Sequence, residues 1–98
     1  MEHFKKLVKM SMKMLNEAED YASKYYECKL HDDSVMSDLY YNMAHLHLDG
    51  YNKVKAVLAS ELNKMKREDP KTITPDLYMM IKDVEADLYE SIQEKLRK

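Results

Sequence analysis

His31-Asp32-Asp33-Ser34 is the stretch on which the reading of the fold turns, because it separates two long runs of helix-period hydrophobicity. Upstream, Phe4, Val8, Leu15, Ala18, Ala22 and Tyr25 trace one stripe, with Leu7, Met14, Tyr21 and Cys28 alongside, which predicts a helix over about 2–29. Downstream, Met36, Tyr40, Met43, His47, Gly50/Tyr51, Val54, Leu58, Leu62 and Met65 predict a second helix over about 35–67. At 1.5 Å per residue that is a rod of roughly 50 Å. Either Asp33 or Ser34 is suited to cap it, and so short a connection implies an antiparallel hairpin. Gly50 lies inside the second helix, where glycine is unfavourable by about 1 kcal/mol relative to alanine. Its place on the inner stripe points to a close helix approach more than to a bend.

A second break, Glu68-Asp69-Pro70-Lys71-Thr72-Ile73, precedes Thr74-Pro75-Asp76, which combines a capping hydroxyl, a proline at the first helical position and an acid in the first turn. Leu77, Ile81, Val84, Leu88, Ile92 and Leu96 then carry a third helix over about 75–97, with Lys95, Arg97 and Lys98 at the negative end of its dipole. The expected fold is all-α, an up-down-up bundle of three long helices in a single domain over 1–98. Charge supports that order. Residues 1–13 carry four Lys against one Glu, and residues 51–71 carry six bases against three acids. Residues 14–50 carry two Lys against eight acids, so a hairpin collects the basic segments at one end and the acids at the turn. Helix 3 is acidic in its first half and basic at its tail, which matches an antiparallel course along helix 2.

Composition narrows the function classes. One Gly and two Pro leave little material for the turns of an all-β protein, and 45% hydrophobic with 35% charged residues suits helices with wet outer faces. A net charge of −2 offers no general attraction to nucleic acid or anionic membrane, and no run approaches the ~18 apolar residues of a membrane helix. The N-terminus lacks the features of a signal peptide, and the single Cys28 forms no internal disulfide, so a cytoplasmic location is expected. The basic residues Lys5, Lys6, Lys9, Lys64, Lys66 and Arg67 have no interleaved aromatics for stacking on bases. No glycine-rich phosphate loop is present. Cys28 sits among Glu27, Asp32 and Asp33, acids that raise a thiol pKa and make a poor nucleophile. No catalytic residue or cofactor is expected.

Histidines and acids invite a search for metal ligands. His45 and Asp49, at i and i+4, read as a solvated pair on the outer face. His47 falls on the apolar stripe opposite Glu17, Ala18 and Tyr21, and reads as a hydrogen-bonded core residue with a Tyr hydroxyl as its partner. The runs Ala18-Glu19-Asp20-Tyr21-Ala22-Ser23-Lys24-Tyr25-Tyr26 and Asp38-Leu39-Tyr40-Tyr41-Asn42-Met43-Ala44-His45-Leu46-His47-Leu48-Asp49-Gly50-Tyr51-Asn52-Lys53-Val54 together resemble the first helical hairpin of short ferritin-like proteins of bacterial and phage type. The resemblance spans about residues 15–65. It implies a di-iron or di-manganese centre built from a first-helix carboxylate and a Glu-x-x-His pair. His47 matches the motif's histidine, and Glu17 or Asp20 the carboxylate, but Ala44 stands where the motif has glutamate. The resemblance therefore implies the shape with a depleted site at most.

The remaining expectation is an interaction module. If Asp76 lies near Lys66, an antiparallel helix 3 brings Lys98 beside Ala44 and leaves the hairpin tip, about 21–43, uncovered. That tip holds Tyr21, Tyr25, Tyr26, Cys28, Met36, Leu39, Tyr40, Tyr41 and Met43, and a Tyr- and Met-rich end has the composition of a protein interface. A homodimer sealed there is expected, with an unidentified protein as the other occupant and internal closure of the tip as the alternative.

Overall fold

The computed structural model describes residues 2–68 and 75–98, and within them the side chains other than those of residues 2, 66 and 75–81. Three helices result: α1 (Glu2–Leu30), α2 (Ser34–Glu68) and α3 (Pro75–Arg97). No strand occurs among the described residues, and no helix among them is long and apolar enough to cross a membrane. The connection at 69–74, where the Thr74 cap is expected, and the side chains of Lys66, Asp76, Leu77 and Ile81 lie outside the described residues.

The first turn is built from backbone hydrogen bonds. Asp33 N–H donates to the Cys28 carbonyl at 2.9 Å and Asp32 N–H to the Lys29 carbonyl at 3.3 Å, a Schellman closure of α1. Asp32 takes the left-handed position with φ 57°, where glycine is usual. Asp33 then caps α2, its Oδ1 accepting the Met36 N–H at 3.2 Å. One residue ends one helix and opens the next, so the hairpin reverses with no slack.

The hairpin packs on a heptad seam. Phe4, Ser11, Ala18 and Tyr25 recur every seven residues on α1, and Ser37, Ala44, Tyr51 and Leu58 on α2; all eight are buried. Leu15 and Ala22 on α1, and Leu48 and Leu62 on α2, fill the intervening positions. Alanines at the centre let the two backbones approach. Gly50 extends this: a Cβ there would stand 3.1 Å from Met14 Sδ, and its φ is not positive, so close approach is its role. The deepest line of α2 therefore runs through Ser37, Ala44 and Leu48. Met36, Tyr40, Met43 and His47, expected on that line, flank it half-buried.

Among the described residues α3 lies against α1 more than against α2. Ile92 and Leu96 join the main core of Leu15, Ala18, Ala22, Tyr25, Ala44, Leu48 and Tyr51, while Phe4, Leu58 and Leu62 form a second cluster toward the open end of the hairpin. Two expectations for α3 are corrected. Val84 is 54% exposed and its neighbour Glu85 is 2% exposed, so a carboxylate occupies the inward position assigned to a valine. Lys98 lies beside Lys29 and Tyr26, not Ala44: Lys29 Nζ donates to the Lys98 carbonyl, and Lys98 Nζ sits 5.6 Å from the Tyr26 ring centre. The register that pairs Glu85 with Tyr51 carries α3 about six residues, or ~9 Å, nearer the tip than an Asp76–Lys66 pairing would. The tip is thereby covered on its α1 side. The whole molecule is a rod of 53 × 19 × 16 Å.

Candidate functional site

The buried polar centre is assembled from all three helices. Glu85 Oε1 accepts from the Ser11 hydroxyl and Oε2 from the Tyr51 hydroxyl, each at 3.0 Å. Lys55 Nζ donates to the Tyr51 oxygen at 3.0 Å and stands 3.6 Å from Glu85 Oε2. Ser11 also reaches the Val8 carbonyl at 2.9 Å, so its single proton is shared between two acceptors. Burial pushes the Tyr51 phenol above its ordinary pKa; the hydrogen bond from Lys55 opposes the shift and the one to Glu85 adds to it. Lys55 is likewise raised, first by its bond to Tyr51, against desolvation. No buried side-chain nitrogen or oxygen among the described residues lacks a partner. Both oxygens of Glu85 are engaged within the bundle, which makes the cluster a clamp on α3. A groove of about 440 Å³ opens beside it between α2 and α3, walled by Tyr51, Lys55, Tyr89, Gln93 and Arg97. It exists because α3 leans on α1.

Ser11 and Lys55 were not singled out from the sequence, and Glu85 was counted only among the acids of helix 3. A signal was there. Ser11 interrupts the Phe4–Ala18–Tyr25 heptad and Lys55 interrupts Leu48–Leu62 at the same level, so two polar residues interrupt apolar positions at one height of the hairpin. Glu85 precedes Ile92 by seven residues on the buried side of α3.

The second cluster lies nearer the tip. His47 is held between two acceptors, Nδ1 at 2.8 Å from the Met43 carbonyl and Nε2 at 2.7 Å from Glu17 Oε2, and its ring packs 5.1 Å from Tyr21. Its partners are thus a carbonyl and a carboxylate in place of the expected Tyr hydroxyl. Of the three residues the ferritin-like resemblance would assign to a metal, Glu17 and His47 meet and Asp20 is exposed. No group of three or more His, Cys, Asp or Glu among the described residues is arranged to hold a metal ion. His45 packs edge-on against Tyr41 at 4.5 Å. Desolvation, then Asp33 and Glu27, push the Cys28 thiol up.

The tip tyrosines are used inside the molecule. Tyr21 stacks on Tyr40 at 6.1 Å and Tyr25 tilts against Tyr41 at 5.3 Å, both across the hairpin. Lys24 Nζ caps the first pair, 5.7 Å from each ring. Tyr25 is buried in the main core, and Tyr21, Tyr26, Cys28, Met36, Tyr40 and Met43 are half-buried; Leu39 and Tyr41 of the expected tip set are exposed.

Apolar exposure is concentrated elsewhere, on the side of α2 turned away from the core. Val35 is 77% exposed, Leu39 49%, Leu46 61% and Val57 51%. At 100° per residue these four fall within one narrow stripe, roughly opposite Ala44 and Leu48. Leu30 is exposed at the adjoining end of α1. No family model matches the chain, and neither a curated protein nor a solved structure matches it.

Proposed function

We propose that this protein is a non-enzymatic helical module that self-associates, and that its contact surface is the outer stripe of α2 beside the hairpin tip. The observation that carries the reading is the alignment of Val35, Leu39, Leu46 and Val57 on one solvent-facing line. Scattered exposed hydrophobes are ordinary; a line of branched aliphatics on the side of a helix that has no core to face is what a partner would bury. The occupant we favour is a second copy, since a surface that complements itself closes with one interface. The tyrosine set, engaged across the hairpin, then stiffens the end that presents the stripe. The alternative, a degenerate ferritin-like metal site, is supported only by the Glu17–His47 pair, two side chains where the di-metal centre draws on several more.

Light scattering on the wild type and on a Leu39→Glu, Leu46→Glu variant tests the proposal. The wild type should have twice the chain mass and the variant the mass of one chain, with equal helicity by circular dichroism. A wild type that stays monomeric at high micromolar concentration would rule self-association out.

A further inference from the structure

The outer stripe of α2 has an internal symmetry that says how a second copy would lie. Val35 precedes Leu46 by eleven residues and Val57 follows it by eleven; Leu39 precedes it by seven and Lys53 follows it by seven. In an antiparallel pair of α2 helices centred on Leu46, Val35 therefore meets the second copy's Val57, Leu46 meets its own counterpart, and Leu39 meets the stem of Lys53. Charge follows the same symmetry. The half of α2 before Gly50 carries Asp38 and Asp49 and no Lys or Arg, whereas the half after it carries Lys53, Lys55, Lys64, Lys66 and Arg67 against Glu61 and Glu68, with Lys55 turned to Tyr51 and Glu85 of its own chain. Centred on Leu46, antiparallel α2 helices overlap over 34–58, which sets Asp38 beside the other copy's Lys53 and leaves Lys64, Lys66 and Arg67 beyond the overlap. Lys53, lying over Leu39, puts its ammonium within reach of Asp38 on the neighbouring turn. A parallel pair would instead oppose acid to acid.

We infer that two copies pair through α2 in antiparallel fashion about a two-fold axis at Leu46, with Val35 against Val57 and Lys53 against Leu39 and Asp38 of the other copy. The inference rests on the self-association reading and adds its geometry. Helices so packed lie 8–10 Å apart, and residues on the axis come close enough for a disulfide after small adjustment. The ion pairs lie at the rim, so the dimer should loosen as salt rises.

Cysteine cross-linking under a mild oxidant, in a Cys28→Ser background, reads the arrangement directly. Leu46→Cys should convert most of the protein to a covalent dimer. Val35→Cys and Val57→Cys should each stay monomeric under denaturing conditions and cross-link only when mixed, and circular dichroism on each variant confirms that it is folded. Leu39→Cys mixed with Lys53→Cys gives a second reading at independent positions. A native dimer by light scattering in which Leu46→Cys does not cross-link, or in which Val35→Cys links to itself, would overturn this geometry and leave self-association standing. A chain that is monomeric at every concentration would overturn both.

Discussion

The α1–α2 hairpin and α3 are held to the same core by different chemistry. The hairpin closes over small and aliphatic side chains at heptad spacing, with Leu15, Ala18, Ala22 and Ala44 fully buried. Helix α3 contributes Ile92 and Leu96 to that core, but its position is set by polar contacts. These are Glu85 on Ser11 and Tyr51, Lys95 on Glu19 and Ser23, and Ser91 on Glu19 at 3.5 Å. Apolar packing is forgiving of register, since one aliphatic pair resembles the next. A buried carboxylate that must find two hydroxyls is not forgiving, because a slip of one turn leaves it unpaired in a dry interior. In this bundle the nonpolar contacts supply stability and the polar ones specify where α3 sits.

Substitutions at the two kinds of contact should therefore behave differently. The largest effect is expected at Leu15→Ala, which removes a fully buried side chain from the hairpin seam and should destabilise by about 3 kcal/mol. Denaturant unfolding should keep a single transition at lower midpoint, because α3 has no partner once the hairpin opens. Glu85→Gln should be milder, about 1–2 kcal/mol, since the amide can accept one hydroxyl but not both and loses the attraction of Lys55. Its signature is location: native-state hydrogen exchange should quicken in the described second half of α3 while α1 and α2 stay protected. Equal acceleration in all three helices would mean that Glu85 is an ordinary core position and that the contrast between the two regions is wrong.

That contrast also explains what could be read beforehand. The helices were expected over 2–29, 35–67 and 75–97 and are found at Glu2–Leu30, Ser34–Glu68 and Pro75–Arg97, because periodicity, caps and the proline start are local signals. The hairpin follows from the brevity of its turn. The placement of α3 was not legible, because counting apolar positions favours Val84 over Glu85, and the partners that draw Glu85 inward lie 74 and 34 residues away. The pairing of the tip tyrosines inside the molecule has a linked reason. With α3 set nearer the turn, Leu96 covers the Tyr25 side, and the rings close across the hairpin.

Alkaline titration sharpens the same comparison at smaller scale. Tyr51 and Lys55 are both raised above ordinary values of 10.0 and 10.5, so each favours the folded state while protonated, and that contribution fades as pH climbs through the folded values. Thermal stability should hold to about pH 10 and then fall. Tyr51→Phe should start less stable and fall less steeply over that range; parallel curves would detach the clamp from the pH response. The smallest effect is at the turn, where Asp32→Gly relieves a left-handed aspartate and should raise stability by about 0.5 kcal/mol. A decrease in melting temperature would show that the Asp32 side chain does more there than occupy the position.

Small-angle X-ray scattering from the wild type tests the central claim most directly, because mass and length are read from one curve. Leu46 lies about five residues from the middle of α2, so an antiparallel pair about it staggers the two rods by about 15 Å. The predicted particle has twice the 11.7 kDa chain mass and a longest dimension about 15 Å beyond the 53 Å of one rod. A particle of single-chain mass at every concentration, or a dimer close to twice the length of one rod and so joined tip to tip, would contradict the account.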